Sequence, residues 1–325
     1  MEDRTISTKT KYGNFVVHRS EEGIGAEMQK GQHWGEKIIT FLKTVVPADK
    51  ALVDIGAHVG CISVPMAKHC KMVYSFEPQS IIHELLLTNF KNNDAVNFKA
   101  YHEALGHKVA ATTMAKVMPD GSSHGKEVDY DSSAPSNFGG LPLGEGGEKI
   151  EMGTLDSFKI TNIGAIKVDV EGAEPLVFYG AQETIKANMP VIVYESNYKR
   201  VTDEMRRSLN LPLEVEKFDI VKFTKDLGYQ PPFEIDGGDF VLIPKHDMSS
   251  ILKAKFITPG NGEANFYKLG GYCYVMMHEV NIRGPYTVHT FADNLISVNF
   301  DGHRIDGDVT KEGIQWSNGT TWKLK

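Results

Sequence analysis

Between Glu36 and Ile243 the chain alternates short apolar strands with amphipathic helices, and this alternation restricts the fold more than any other feature. Strands separated by helices favour a parallel sheet that is covered by helices. The end of the series differs, because "FEIDGGDFVLI" places two β-runs around a Gly-Gly turn and therefore predicts a hairpin. One strand of a mostly parallel sheet is then antiparallel, unlike the arrangement in an all-parallel dinucleotide fold.

Hydrophobic periodicity gives the individual elements. The predicted helices are "GEKIITFLKTVV", "CISVPMAKHC", "SIIHELLLTNFKNN", "EPLVFYGAQETIKAN" and "VEKFDIVKFTKDLGY". The predicted strands between them are "ALVDI", "KMVYSFE", "VNFKAYHEAL", "AIKVDV" and "PVIVYES". An α/β fold with a central sheet follows.

Residues 116–148 interrupt this pattern, since they are rich in Gly, Ser, Pro and Asp and have no period. A loop of this length inside a compact domain is either functional or disordered. We predict a flexible insertion that either covers the substrate side of the site as a lid or has no such role.

A domain boundary is predicted near "PKHDMSS", which divides the chain into residues 1–247 and a small β-rich accessory domain, residues 251–325. In the second part, "ISVNFDGHRI" and "IQWSNGTTWKLK" predict hairpins that turn at Asp301-Gly302 and Asn318-Gly319. Its aromatic residues suit either core packing or stacking on sugar rings; they are Tyr267, Tyr272, Tyr274, Tyr286, Trp316 and Trp322. Exposed strand edges would also allow a homo-oligomer to form through this domain.

Composition excludes several classes of protein. The formal net charge of −7, with no run of Lys and Arg, argues against a nucleic-acid partner. No apolar run approaches the roughly 20 residues needed to span a membrane. Cys61, Cys70 and Cys273 form no CxxC pair and are expected to be reduced thiols. We expect a cytoplasmic protein.

The stretch "ALVDIGAHVG" ends a strand in Asp54 and turns through Gly56 and Gly60 into a helix. Glycine allows the backbone to approach a ligand closely, and a helix that begins there offers free N–H groups. Ligands of doubly wound sheets bind at the carboxyl ends of the strands. The turn therefore predicts a nucleotide cofactor.

Three details identify the type of cofactor. Asp54 stands where a dinucleotide fingerprint has its first glycine, so a pyrophosphate would face a carboxylate, whereas an ammonium and a sulfonium would be attracted. Glu77 ends the next strand about 20 residues later, where an acid binds ribose hydroxyls. The third detail is the hairpin strand. Together they favour S-adenosylmethionine over a nicotinamide.

A second group of acids lies in "IKVDVEGAEPLVFYGA", where Asp169 ends a strand and Glu171 and Glu174 follow it. Glu195 ends the next strand at the same edge of the sheet. Buried carboxylates need a partner, so this group predicts a bound cation, a substrate hydroxyl or a metal. For Glu171 and Glu174, a favourable charge at a helix N-terminus is the alternative.

The runs "VDIGAHVGCISVPMAK", "YSFEP", "IKVDVEGAEPLVFYGA" and "PVIVYE" together resemble the FkbM-type S-adenosylmethionine-dependent methyltransferases. The resemblance covers Glu36 to Glu195 well and does not extend to the C-terminal β-domain. It implies a class I methyltransferase fold, which is a Rossmann-like, seven-stranded, mostly parallel sheet with an antiparallel hairpin strand. It also implies O-methylation, commonly of hydroxyls on sugars or natural products.

The resemblance also implies roles for individual residues. Cofactor binding is expected of Asp54, Gly56, Ala57, His58, Gly60, Glu77, Pro78, His102, Glu103 and Asp169, with His102 and Glu103 beside the adenine. Asp169 would lie near the transferable methyl group. The acceptor side is expected to hold Glu171, Glu174 and Glu195.

A sugar hydroxyl is a weak nucleophile, so a positioned base is expected to accelerate the transfer by a factor of about 10²–10⁴. Asp169 is the preferred candidate and Glu171 the second. In the alternative, Asp169 with Glu171 or Glu195 holds Mg²⁺, which acidifies the hydroxyl; a metal-free reaction is favoured. The main hypothesis is a glycan O-methyltransferase that releases S-adenosylhomocysteine. The alternatives are methylation of another small hydroxylated metabolite, a nicotinamide-dependent oxidoreductase, and a non-catalytic glycan-binding or scaffold protein.

Overall fold

The computed structural model describes residues 4–117, 127–196, 203–244, 255–259, 261–269, 272–278, 282–292, 295–300 and 303–325. The strands, in chain order, are β1 Thr5–Thr10, β2 Gly13–His18, β3 Ala51–Ile55, β4 Met72–Phe76, β5 Phe98–Tyr101, β6 Ala104–Leu105, β7 Ala110–Ala115, β8 Gly146–Gly153, β9 Ile163–Val168, β10 Val191–Glu195, β11 Phe233–Asp236, β12 Asp239–Leu242, β13 Lys255–Ile257, β14 Glu263–Leu269, β15 Tyr272–His278, β16 Ile282–Ala292, β17 Leu295–Phe300, β18 His303–Val309, β19 Gly313–Trp316 and β20 Thr321–Leu324. The helices are α1 Ile24–Gln29, α2 Glu36–Val45, α3 Ser63–Ala67, α4 Ser80–Asn92, α5 Leu155–Phe158, α6 Glu174–Tyr179, α7 Gln182–Asn188, α8 Asp203–Leu209, α9 Leu213–Glu216 and α10 Ile220–Asp226.

Seven of the described strands form one mixed sheet in the order β11-β12-β10-β9-β3-β4-β5. Strands β10, β9, β3, β4 and β5 are parallel, whereas β12 pairs antiparallel with both β10 and β11. The chain reverses at Gly237 and Gly238, whose φ angles of 39° and 104° lie in the region that glycine tolerates. The predicted mixed sheet with its Gly-Gly hairpin is confirmed.

Successive side chains of the central strands point alternately to two apolar cores, one on each face of the sheet. Leu52 and Ala165 belong to the core that α2, α3 and α4 complete. Val53 and Ile166 belong to the opposite core. Because the central strands are covered on both faces, their sequences are almost continuously apolar, and a polar residue within them is conspicuous.

Two predicted helices are each broken in the structure. "EPLVFYGAQETIKAN" forms α6 and α7, which are separated at Gly180. A Cβ at Gly180 would lie 2.0 Å from the carbonyl oxygen of Gly106, so the two backbones pack too closely for any other residue. "VEKFDIVKFTKDLGY" forms α9 and α10, because Asp219 accepts a hydrogen bond from the backbone N–H of Lys222 at 2.8 Å and so starts a new helix.

The predicted strand "VNFKAYHEAL" also divides. Its first part is β5 of the central sheet, and its second part is β6, which joins β8 and β7 in a separate three-stranded sheet. Strands β7 and β8 pair antiparallel and form the stem of the predicted insertion. Strand β8 begins at Gly146, so residues 146–148 are in a strand, while residues 118–126 lie outside the described residues. The lid role stays a prediction.

The residues before Glu36 form elements that the sequence did not predict. Strands β1 and β2 make an antiparallel hairpin, and α1 follows them. The backbone N–H of Val16 donates to Oδ1 of Asn89 at 2.6 Å, and Nδ2 of Asn89 donates to the carbonyl oxygen of Val59 at 2.8 Å. Asn89 thus connects the hairpin to the turn that follows β3.

Strands β13 to β20 form a closed barrel, since β13 pairs with both β14 and β20. The hairpin at Asn318-Gly319 is present between β19 and β20, with a φ angle of 84° at Gly319. The turn residues Asp301-Gly302 lie outside the described residues, but β17 and β18 beside them pair antiparallel. The boundary predicted near residue 247 also lies outside the described residues, so the division into two domains stays a prediction.

The described aromatic side chains of the barrel pack in its interior. Trp316 and Trp322 are almost fully buried, and their ring centroids lie 4.8 Å apart. Tyr286 is buried against Phe300. This burial favours core packing over sugar contact for these rings. The side chains of Tyr267, Tyr272 and Tyr274 lie outside the described part.

Cys61 and Cys70 are buried free thiols, as expected. The side chain of Cys273 lies outside the described part. Among the described residues no helix has both the length and the apolar character that crossing a bilayer requires.

Candidate functional site

A cavity of about 420 Å³ lies at the carboxyl ends of β3, β4, β9 and β10. Small-molecule sites have volumes of about 300–1,000 Å³. Parallel strands all end at this edge, so residues that follow different strands meet there. The predicted site residues that line the cavity are Asp54, Gly56, Ala57, His58, Glu77, Pro78, Glu103, Asp169, Glu171 and Glu195.

Gly56 and Gly60 shape the turn after β3, with φ angles of 80° and 91°. A Cβ at Gly56 would lie 1.8 Å from the carbonyl oxygen of Asp169, so only glycine fits between the turns that follow β3 and β9. A Cβ at Gly60 would lie 2.9 Å from side-chain atoms of Leu86 and Val64. Gly60 therefore serves packing beneath the turn, and Gly56 serves the cavity wall.

Asp54 is a buried carboxylate at the floor of the cavity. Its Oδ2 accepts a hydrogen bond from the Ser63 hydroxyl at 2.6 Å, whereas its buried Oδ1 has no hydrogen-bond partner among the described residues. Burial raises the pKa of Asp54 to about 6, although the nearby Lys167 ammonium acts in the opposite direction. A buried oxygen without a partner suits a cationic donor from a ligand.

Glu77 is held by backbone amides after β4. Its carboxylate accepts hydrogen bonds from the N–H groups of His58 and Gln79, each at 2.9 Å. Burial raises the pKa of Glu77, and the two amides and His58 oppose that shift. These bonds fix the Glu77 carboxylate beside the turn that contains Gly56.

His58 forms a buried pair with Glu21, a residue that the sequence did not predict for the site. Nε2 of His58 lies 3.7 Å from Oε2 of Glu21, and both side chains are buried. Burial lowers the pKa of His58, but the carboxylates of Glu21 and Glu77 outweigh it, so the net shift is upward. The pair connects the segment before α1 to the turn after β3.

Lys167 lies at the centre of the acidic residues and was not predicted for the site. Its Nζ donates to Oδ2 of Asp169 at 2.7 Å, and the residue is 1% exposed. Burial lowers the pKa of Lys167, but Asp169, Asp54 and Asp239 raise it further, and the net shift is upward. A lysine inside the otherwise apolar run "AIKVDV" was the signal available in the sequence.

Asp169, Glu171 and Glu195 are brought together as expected. Each offers one carboxylate oxygen, and these oxygens all lie within 4.8 Å of one another. Glu171 has a φ angle of 56°, an uncommon conformation for a residue with a side chain. The arrangement could hold a cation or accept hydrogen bonds from a polar ligand.

Glu174 is not one of the described residues that line the cavity. Its Oε1 accepts hydrogen bonds from the backbone N–H groups of Val170 and Gly172, at 3.1 and 3.3 Å. Burial raises the pKa of Glu174 to about 7. This geometry favours the alternative that the sequence left open, in which Glu174 stabilises the start of its helix.

The two residues predicted beside the adenine are placed differently. Glu103 lines the cavity. His102 is not among the lining residues that the structure describes; its ring stacks on His83, and its Nε2 lies 3.8 Å from Glu148.

Two cavity walls come from segments whose role the sequence did not predict in detail. One wall includes Ile24, Glu27 and Lys30, which recur every three residues and so share one face of α1 and its C-cap, together with Trp34. A second wall belongs to the insertion and consists of Asn137, Gly139, Gly140, Leu141 and Leu143. No sequence motif marks α1. That α1 lines the cavity follows only from the way the β1–β2 hairpin packs.

Comparison with protein families gives a match over much of the chain. The model described as "Methyltransferase FkbM domain" matches residues 54–231, which is more than half of the chain. The match includes the turn after β3 and the acidic residues after β9. A comparison with curated proteins finds no match.

Solved structures give weak likenesses. A methyltransferase FkbM from Methylobacillus flagellatus KT has 19% identity and a TM-score of 0.36, over 60% of this chain and 43% of that one. TYW2 from M. jannaschii, solved with AdoMet, has 10% identity and a TM-score of 0.36, over 74% and 83%. A Pyrococcus abyssi tRNA (uracil-54, C5)-methyltransferase, solved with S-adenosyl-L-homocysteine, has 12% identity and a TM-score of 0.36, over 74% and 44%. This chain thus spans less than half of the length of the FkbM structure.

Proposed function

Because this chain belongs to the FkbM methyltransferase family, we propose that it transfers a methyl group from S-adenosylmethionine to a hydroxyl of a sugar or glycan. One observation supports the proposal more strongly than the others. A cavity of about 420 Å³ brings Asp54, Glu77 and Asp169 together at the carboxyl edge of the sheet. These carboxylates suit a positively charged methyl donor and would repel a phosphate chain.

The residues present fit the donor. The buried Oδ1 of Asp54 lacks a partner among the described residues and would accept a hydrogen bond from the donor's ammonium group. Gly56 lets the turns that follow β3 and β9 meet at the cavity wall, because a Cβ there would lie 1.8 Å from the carbonyl oxygen of Asp169. Glu77, held by two amides, would accept hydrogen bonds from the ribose hydroxyls. Ala57, His58, Pro78 and Glu103 complete this side of the cavity.

We assign the chain, on the same premise, a class I methyltransferase domain in residues 1–247 and an accessory β-domain in residues 251–325. The seven-stranded order with an antiparallel β12 supports the first assignment. The closed set β13–β20 supports the second. Residues 127–148 supply one wall of the cavity, which supports a covering role for the insertion.

When bound, S-adenosylmethionine supplies a methyl group on a positively charged sulfur, which leaves as the neutral thioether. Asp169 is the proposed base. It takes the proton of the acceptor hydroxyl while the acceptor oxygen bonds to the methyl carbon. Asp169 is held at the cavity by its own N–H, which donates to the carbonyl oxygen of Ile55 at 3.0 Å. Glu171 and Glu195 lie beside it and would bind further acceptor hydroxyls.

A divalent cation held by Asp169, Glu171 and Glu195 is the second mechanism, because their oxygens lie within 4.8 Å of one another. The ammonium of Lys167 already contacts Asp169 in this cluster, and we therefore favour the metal-free reaction. A sugar acceptor is supported by the combination of Trp34 with carboxylates in one cavity. Another small hydroxylated metabolite is the alternative acceptor.

A labelled-methyl transfer assay tests the proposal. The full chain is incubated with labelled S-adenosylmethionine and a panel of monosaccharides, oligosaccharides and small hydroxylated metabolites, with and without a chelator. We expect transfer to a sugar that the chelator does not reduce. Asp169→Ala should lower kcat by about 10²–10⁴-fold, because it removes the base.

Glu183→Ala, on the exposed surface of α7, is the control and should leave the rate unchanged. Transfer at the wild-type rate by Asp169→Ala would contradict the assignment of the base. Binding of S-adenosylhomocysteine without transfer to any acceptor would favour a non-catalytic scaffold, and uptake of NAD instead would favour an oxidoreductase.

A further inference from the structure

Lys167 is a lysine in the middle of a sheet whose central strands are otherwise apolar. It is 1% exposed, and in the sheet register it lies next to Asp54 on β3. Lysine is almost never fully buried unless it is paired, because desolvation of its ammonium is costly. An apolar residue would fill this position at less cost, so the charge calls for an explanation beyond packing.

The neighbours of Lys167 share one face of the sheet. Side chains two residues apart on a strand point the same way, so Lys167 and Asp169 lie on one face. Nζ of Lys167 contacts Oδ2 of Asp169 at 2.7 Å, and Asp54 and Asp239 lie near enough to interact with its charge. Asp239 pairs in register with Glu195, which belongs to the acidic cluster.

The position of the ammonium is restricted on a further side. Nζ of Lys167 lies 5.5 Å from the centroid of the Trp34 ring, within the range of a cation–π interaction. A carboxylate that is held through Oδ2 cannot rotate freely about its Cβ–Cγ bond. The contact with Lys167 therefore restricts the direction of the Asp169 carboxylate at the cavity.

We propose that Lys167 is a positioning residue for methyl transfer, because its fixed ammonium orients the Asp169 carboxylate. The same ammonium supplies, inside the protein, the positive charge that this acidic cluster would otherwise take from a divalent cation. The proposal rests on the proposed function, because Asp169 is the base there. It adds a residue that lines the same cavity and whose proposed role is exerted through Asp169. Misplacement of a reacting group by about 1 Å can cost about 10²-fold in rate, so orientation alone is a sufficient role.

The first test needs neither donor nor acceptor. Lys167→Ala removes three carbons and the ammonium, which n-propylammonium replaces atom for atom. We expect the melting temperature of the Lys167→Ala protein to rise by about 2–3 °C at n-propylammonium concentrations of ten times its dissociation constant. Tetramethylammonium carries the same charge but has no N–H donor, and should give no comparable rise. The wild-type protein should respond to neither ion.

A double variant identifies the partner of the added ion. Asp169→Asn in the Lys167→Ala background removes the carboxylate that the ammonium contacts directly and leaves Asp54 and Asp239, so the rise in melting temperature should become clearly smaller. An equal rise in the single and the double variant would overturn the assignment. So would the absence of any rise in the single variant.

The second test is kinetic. Lys167→Ala should lower kcat by about 10²-fold and change the KM for S-adenosylmethionine far less, and n-propylammonium should restore much of kcat. Lys99→Ala is the control, because Lys99 also lies over an aromatic ring, Tyr74, but outside the cavity; its kcat should be unchanged. A wild-type kcat in Lys167→Ala would overturn the proposal.

Should Lys167→Ala not fold, Lys167→Gln replaces it, since glutamine keeps most of the length and an N–H donor but has no charge. A tenfold or larger loss of kcat supports the proposal, and an unchanged kcat overturns it. If the wild-type protein transfers methyl to no acceptor, the proposed function fails. The melting series still decides whether Lys167 holds Asp169.

Discussion

The charge state of Asp54 should change when the donor binds. It is buried, its Oδ1 has no hydrogen-bond partner among the described residues, and burial raises its pKa to about 6. A raised pKa means that the ligand-free protein holds a proton on Asp54 more tightly than the unfolded chain does. A bound ammonium would favour the ionised form and release that proton.

We expect the affinity for S-adenosylhomocysteine to fall as the pH decreases through about 6, because Asp54 becomes protonated and loses its attraction for the ligand ammonium. Asp54→Asn should bind more weakly at every pH and lack this step. Calorimetry between pH 5 and 7 measures both, since an α-amino group with a pKa of about 7.7–8.0 keeps its charge in this range. A step of the same size in Asp54→Asn would contradict the role of Asp54.

Gly56 should tolerate no side chain. Gly56→Ala places a Cβ 1.8 Å from the Asp169 carbonyl oxygen at a φ angle of 80°. We expect a loss of at least about 3 kcal/mol in the free energy of unfolding and loss of S-adenosylhomocysteine binding, measured by denaturation and calorimetry. Gly319→Ala is the matched control, because Gly319 has a φ angle of 84° but open space around it, and should cost about 1 kcal/mol. Equal costs at the two positions would contradict the steric argument.

The sequence identifies single residues best where a rare residue type stands in a strict pattern. Asp54 lies near the end of β3 and Glu77 directly follows β4, and the structure brings both to the cavity. Lys167 had an equally clear signal as a charge inside a buried strand, but its partners could be found only from the sheet register. Glu21 had no signal, because its contact with His58 depends on how the N-terminal hairpin packs.

At the scale of the elements, Glu174 shows how a carboxylate can serve a helix instead of a ligand. It accepts hydrogen bonds from the N–H groups of Val170 and Gly172 just before α6. Burial raises its pKa to about 7 from an ordinary 4.5. Its favourable contribution to stability is therefore complete below pH 4.5 and is lost as the pH rises through 7.

Glu174→Gln removes this titration and keeps an oxygen that can accept the same bonds. The free energy of unfolding of the variant should increase relative to wild type as the pH is raised from 5 to 8, measured by urea denaturation. Glu183→Gln, on the exposed surface of α7, should give a difference that does not change with pH. A flat difference for Glu174→Gln would contradict the upward pKa shift.

The order of the elements was predictable, and their interruptions were not. The central strands are recognisable as short apolar runs, and α2 and α4 are recognisable because one buried face repeats along each helix. The break at Gly180 depends on the approach of Gly106, which is distant in the sequence. Strand β1 is partly exposed and polar, so it carries little hydrophobic signal.

At the scale of the molecule, the cavity and the barrel are built from different described residues. None of the described residues of β13–β20 lines the cavity. The barrel has its own apolar interior, which includes Phe256, Trp316 and Trp322. Damage to that interior should therefore affect stability and spare methyl transfer.

Trp322→Ala should lower the free energy of unfolding of the barrel by about 3–5 kcal/mol, because it removes a large buried ring. Denaturation followed by Trp fluorescence measures this loss. Methyl transfer per folded molecule should stay at the wild-type level. Thr321→Ala, at the neighbouring exposed position, should change neither quantity. Loss of sugar binding at unchanged stability would instead assign Trp322 to ligand contact.

Closure of the barrel bears on how copies of this chain could associate. A strand at an open edge offers unpaired N–H and C=O groups that a second molecule can extend into a longer sheet. Strands β13 and β20 pair with each other, so the described barrel strands satisfy one another around the ring. Self-association through this region would therefore have to be driven by side chains on its outer surface, and its strength should vary with salt and surface substitutions rather than with backbone pairing.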